Sequence, residues 1–251
     1  MLVALGVALS ACGGMSTGSS GSSVAESTTV TVFAASSLKG SFSAIGAAFE
    51  ADNPGVTVTF NFGPSSGLAT QITQGAPADV FASASQKTMD AVSAASLAVS
   101  PQVFAVNSLA IATPVQQSVE VLSLADLAKP GVKVAVCQKV VPCGAAAHAL
   151  FEQNKLSVTP STEEVDVKAV LTKVQLGEVD AGVVYVTDVK SAQGSVTGII
   201  IPAEYNVTTR YPIAALLTSS GSASATATDF VDYVLSPAGQ QVLLSAGFVS
   251  P

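Results

Sequence analysis

The chain has 251 residues, 49% of them hydrophobic, enough to bury one large core or two lobes of about 100 residues each. Ten Lys plus Arg stand against seventeen Asp plus Glu, a net charge of -7, which excludes a basic field for nucleic acid or for an anionic membrane. An anionic ligand therefore needs a local site.

The N-terminal stretch "MLVALGVALSACGG" is an apolar run of about ten residues, too short for a membrane span, and it ends in small residues like the core of an export signal. Leu9-Ser10-Ala11-Cys12 resembles the bacterial lipobox, which implies a signal peptide over residues 1–11 and a lipid anchor on Cys12. No Lys or Arg precedes the run, a departure from the usual signal. The following Gly/Ser/Thr tract, residues 12–29, has almost nothing to bury and reads as a flexible tether. Export implies an oxidising compartment, where Cys137 and Cys143 are close enough to pair across a short loop.

From residue 30 onward, strand-like and helix-like segments alternate. "TVTVFAA" precedes a helical stripe of Leu38, Phe42, Ile45 and Phe49 that ends at Asn53-Pro54-Gly55. "VTVTFNF" is a strand, "SSGLATQITQG" a short helix, "ADVFASA" a strand and "SQKTMDAVSAASL" a helix. The middle repeats the theme with strand "VKVAVC", helices "GAAAHALFEQNKL" and "VKAVLTKVQLGEV", and strands "AGVVYV" and "TGIIIP"; the end is helical again. This alternation is the α/β signature.

No Gly-x-Gly-x-x-Gly or Walker loop is present, and the single His148 with two nearby cysteines completes no metal set. Ser36-Ser37-Leu38-Lys39 contains the Ser-x-x-Lys of penicillin-binding acyl-transfer enzymes, but their Ser-Asp-Asn and Lys-Thr-Gly companions are missing. Cys143 and His148 would sit about 140° apart around a helix and would not meet. The serine pair is better read as helix capping or anion binding. Similar helix starts recur at Ser65-Ser66, at Pro142-Cys143-Gly144 and at Val167, and several helix N-termini aimed at one cleft bind an anion without Lys or Arg.

Taken together, "VTVFAASSL", "NFGPSSGLATQI", "GAPADVFASASQKTMD", "VPCG", "EVDVKAVLTKVQLGEVDAGVVYVTD" and "YPIA" resemble, in order and spacing, the molybdate-binding proteins of bacterial ABC importers. The resemblance implies a two-lobed type II periplasmic-binding-protein fold, each lobe a mixed α/β sheet flanked by helices, with the ligand in the cleft between them. Residues 30–107 and 213–251 would form one lobe and 108–212 the other. Carried over by motif, it implies oxyanion ligands at Ser37, Ser65, Cys143, Val167 and Tyr185, with Cys143 acting through its backbone N–H.

All five positions are neutral donors, which suits a fully deprotonated dianion; Glu163, Glu164 and Asp166 lie close to Val167. The expected function is capture of molybdate, and of tungstate, by a monomeric exported lipoprotein on the outer face of the cell membrane. It would deliver the ion to an ABC permease and its ATPase, with no cofactor and no catalysis. Sulfate or thiosulfate capture on the same fold is the alternative, and a Ser-x-x-Lys acyl-transfer enzyme is the alternative of another class.

Overall fold

The structure is a computed structural model and describes residues 28–217 and 222–251. The expected signal segment, Cys12 and most of the tether lie outside the described residues. The first half runs β1 (Thr28–Ala35), a 3-10 turn (Ser36–Leu38), α1 (Lys39–Asp52), β2 (Val56–Gly63), α2 (Ser65–Thr73), β3 (Val80–Ala82) and α3 (Gln86–Ala94). The 17-residue strand β4 (Ala98–Pro114) and a second 3-10 turn (Leu124–Ala128) lead to β5 (Val134–Cys137), α4 (Pro142–Gln153) and β6 (Thr162–Glu164). Then come α5 (Val167–Gln175), β7 (Ala181–Tyr185), α6 (Val186–Ser191), β8 (Val196–Ile200), β9 (Thr208–Leu216), α7 (Ser222–Leu235) and α8 (Pro237–Ala246).

The strands follow the order β2-β1-β3-β9-β4-β7-β5-β6, with β8 also on β4. The two-lobed architecture comes from how β4 is shared. Its residues Ala98 to Ser108 pair antiparallel with β9 in the first lobe. From Leu109 onward the same strand pairs with β7 and β8 in the second. Within each lobe the β-α-β crossovers give parallel pairs, β1 with β2 and β3, and β5 with β6 and β7. Each lobe is thus a mixed sheet flanked by helices.

Strand alternation sorts the first-lobe core onto two faces. Val30, Val32 and Ala34 join the cluster under α1, α7 and α8, where the stripe residues Leu38, Phe42, Ile45 and Phe49 are all buried. Phe33 points the other way, to Leu68, Ile72 and Met89 of α2 and α3. A separate core in the second lobe packs α4 and α5 against β5 and β7 through Ala147, Leu150, Val170 and Val174. Gly55, at φ +94°, makes the turn between α1 and β2 in a region that a side chain would resist.

The sequence pattern predicts neither β4 nor β9 as a strand, although they carry the chain between lobes. The local pattern of β4 is broken by Pro101, which has no N–H for the ladder, and by Ser100 at φ +41°. Its pairing with β9 shifts register between Val99 and Gln102 and again between Val103 and Ala105.

Candidate functional site

The site is built from helix starts that follow strands. Ser36 and Ser37 begin the turn after β1, Ser65 begins α2 after β2, Pro142 and Cys143 begin α4, and Val167 begins α5. Tyr185 is the last residue of β7, in register with Leu109 at the point where β4 changes lobes. All five expected ligand positions, Ser37, Ser65, Cys143, Val167 and Tyr185, line a single cavity of about 20 Å3. That is room for a compact ion and too little for a sugar or an amino acid.

Capping separates these helix starts from others in the molecule. α3 and α8 cap themselves, with Ser85 accepting from Thr88 N–H and Ser236 from Gly239 N–H. The N-cap positions Ala35, Pro64 and Val141, which face the cavity, supply no side-chain cap. Their first-turn N–H groups therefore remain donors, with the positive end of the helix dipole behind them. α5 is the exception, since Asp166 Oδ1 accepts from Ala169 N–H at 2.9 Å.

The hydroxyls are arranged to donate as well. Ser65 Oγ accepts from Ala84 N–H at 3.0 Å, a bond that uses an oxygen lone pair and leaves the hydroxyl hydrogen free. Ser37 Oγ lies 2.9 Å from Tyr211 Oη in a buried hydrogen bond. The Tyr185 hydroxyl is fully buried and has no hydrogen-bond partner; Thr209 and Tyr211 are its neighbours, but neither forms a bond of acceptable geometry with it. Burial pushes both phenols, Tyr185 and Tyr211, well above the usual tyrosine range, so both stay protonated. A buried hydroxyl without a partner is rare in proteins, and the residue that carries this one lines the cavity.

Positioning comes from beneath. The Tyr211 ring packs edge-on against Tyr185 (centroids 6.0 Å apart), Phe104 (6.3 Å) and Phe248 (5.3 Å), which ties the first-lobe core to the ring from the second lobe. Asp188 Oδ2 accepts from Tyr185 N–H at 3.0 Å, and its other oxygen pairs with Lys168 Nζ at 2.8 Å. Burial raises the Asp188 carboxyl above the usual range, with Lys168 opposing. Cys137 and Cys143 are disulfide-bonded, with Cα atoms 5.7 Å apart, which fastens the end of β5 to the start of α4. At Gly144 a Cβ would overlap the Gln138 carbonyl and come within 2.5 Å of Cys137 O, so the backbone at this helix start is packed too closely for any side chain.

Two cavity neighbours are missing from the expected ligand set. Asp166 lines the cavity and accepts from Ser36 Oγ at 2.8 Å, a hydrogen bond that joins the two lobes. Tyr211 holds Ser37. The acidic cluster before Val167 was a signal for the first, whereas no local pattern marks the second.

The same contact disposes of the acyl-transfer alternative, because Ser36 gives its hydrogen to Asp166 while Lys39 is exposed to solvent. Cys143 is not a free thiol either, since it is in the disulfide; His148 instead packs its ring on Phe151.

Residues 30–249 match the family of bacterial extracellular solute-binding proteins. The chain belongs to that family. Across 253 aligned residues, all of this chain and 95% of the relative, it is 43% identical to the molybdate-binding protein ModA of Mycobacterium tuberculosis. The solved periplasmic molybdate-binding protein of Azotobacter vinelandii superposes with a TM-score of 0.78 at 20% identity, covering 88% of this chain and 99% of that one. The sulfate-binding protein SubI of M. tuberculosis superposes with a TM-score of 0.75 at 16% identity, covering 89% and 87%. These likenesses show the two-lobed fold, and the relatives are solute-binding proteins rather than enzymes. Among the described residues no helix is long and apolar enough to cross a membrane.

Proposed function

We propose that this protein captures molybdate, and tungstate with it, outside the cytoplasm and delivers the ion to an ABC permease and its ATPase. The observation that carries the reading is a small cavity at uncapped helix N-termini, lined by Tyr185, whose protonated hydroxyl has no partner. A deprotonated tetrahedral dianion offers acceptors only, which suits donors from Ser37, Ser65, Cys143, Val167 and Tyr185, while the carboxylate lining the cavity, Asp166, is taken up by Ser36 Oγ and the Ala169 N–H. Several charge-assisted bonds of about 1.5 to 3 kcal/mol each are enough for submicromolar affinity after the costs of binding. The ModA relative at 43% identity supports molybdate over sulfate, which a likeness of fold does not separate.

In this reading Cys12 carries the lipid anchor, residues 12–29 tether a monomeric binding body, and the lobes comprise residues 30–107 with 213–251, and 108–212. Calorimetry of the purified protein with molybdate, tungstate, sulfate and phosphate tests it. Tight saturable binding of the first two, with much weaker sulfate, is expected. Tighter sulfate than molybdate would replace the reading with sulfate capture.

A further inference from the structure

Beside the inner cavity lies a wider groove of about 280 Å3, walled by α2 and α3 of the first lobe and by the segment leading into α4 of the second. The two spaces share Val141 and Pro142, so the groove adjoins the oxyanion cavity. No carboxylate lines it, yet it holds two lysines, Lys87 and Lys139, in a chain with only ten basic residues. Both are exposed, and neither has an ion-pair partner among the described residues. The Thr70, Thr73 and Thr88 hydroxyls around them donate to carbonyls of their own helices or helix starts at 3.0 Å, which leaves the two ammonium groups as the charged donors of the groove.

Neither lysine is where helix stability wants it. Lys87 lies in the first turn of α3, and Lys139 stands two residues before the N-cap of α4, both near the positive end of a helix dipole. A cation placed against the dipole with no compensating contact breaks a local rule, as functional positions do. The groove on another side of the cleft holds one lysine neutralised by Asp188, Lys168, and one exposed lysine, Lys190, whereas both lysines of this groove are without an ion pair among the described residues.

We propose that the groove is an anion vestibule, in which Lys87 and Lys139 gather a divalent oxyanion from solution and pass it to the inner cavity. This rests on the oxyanion reading above. A protein of net charge -7 repels a dianion at long range, and two unpaired cations at the mouth reverse that field locally. The lysines act on the approach of the ion and make no contact with it once it is bound in the inner cavity. Their effect therefore falls on the association rate and not on dissociation.

The test is stopped-flow binding of sodium molybdate followed by tyrosine fluorescence, the chain having no Trp. Wild type is compared with the double variant Lys87→Gln/Lys139→Gln and with Lys87→Arg/Lys139→Arg. Near 10 mM ionic strength, where the Debye length is about 30 Å, the Gln pair should associate about tenfold more slowly with an unchanged dissociation rate. At 1 M, with screening over about 3 Å, the difference should vanish. The Arg pair should keep the wild-type rate, and melting temperatures should not fall.

Equal association rates at low salt, or a loss that appears in dissociation instead, would overturn the vestibule. Calorimetric titration of wild type with molybdate separates the two readings. A wild type that does not saturate removes the oxyanion reading itself, whereas one that saturates while the Gln pair keeps its rates removes only the vestibule.

Discussion

Replacing Tyr185 by Phe removes one oxygen atom and little else. The ring is fully buried, packed 6.0 Å from Tyr211, and that contact survives in Phe. The lost hydroxyl has no hydrogen-bond partner in the protein, so its removal takes away no internal bond. Leaving a buried hydroxyl unsatisfied costs about 1 to 3 kcal/mol, and the ligand-free variant should therefore melt at the wild-type temperature or a few degrees above it. Bound oxyanion would lose a charge-assisted bond of about 1.5 to 3 kcal/mol, a fall in affinity of roughly 10 to 100-fold. The two effects have opposite signs, which a merely structural tyrosine would not produce. Differential scanning calorimetry without ligand and isothermal titration with molybdate read them separately. Wild-type affinity in Tyr185→Phe, or a marked drop in its ligand-free melting temperature, would refute the reasoning.

Ser37→Ala and Ser65→Ala should each weaken molybdate binding by roughly 10 to 100-fold in the same titration; unchanged affinity in both would remove the two hydroxyls from the site. Reduction of the Cys137–Cys143 bridge closes off a small chain-entropy gain, at most about 3 kcal/mol, and should cost more in molybdate affinity than in the urea midpoint, because it frees the segment that aims the Cys143 N–H. Gly144→Ala forces a methyl onto the Gln138 carbonyl, so a loss of about 1 to 3 kcal/mol in thermal unfolding is expected together with weakened binding; binding that stays intact would show that this helix start tolerates displacement.

The pH prediction concerns Asp126, whose carboxyl is held below the usual carboxylate range, first by Lys129 at 2.6 Å and then by the Leu122 N–H at 2.9 Å. A depressed folded value gives stability that is present above the unfolded pKa and lost as pH falls toward the folded one. Asp126→Asn should therefore lower the urea midpoint at pH 7 by an amount equivalent to about 1 kcal/mol, and the gap should narrow below about pH 4. A gap independent of pH would assign the effect to packing.

Much of this protein is legible in local pattern. The stripe from Leu38 to Phe49 fixes the buried face of α1, the alternation through β1 sorts Val32 from Phe33, and Ser, Pro or Gly at strand ends marks the helix starts of the site. Those signals have periods of 2 and 3.6 residues and need only near neighbours. The motifs also carried the five expected ligand positions, which the structure gathers around one cavity.

What the chain could not display locally are the pairings that bridge long separations. Ser36 meets Asp166 across 130 residues and Ser37 meets Tyr211 across 174, and neither serine differs in its neighbourhood from an ordinary helix cap. β4 escapes a strand reading because Pro101 and two register shifts interrupt its alternation, yet it joins both lobes once β9 supplies the partner for one half and β7 and β8 for the other. Which backbone and hydroxyl groups stand at helix starts follows from local pattern alone. That they converge, and that the Tyr185 hydroxyl is left without a partner, follows from the folded chain, because convergence depends on pairing between distant strands and burial on the packing of two lobes.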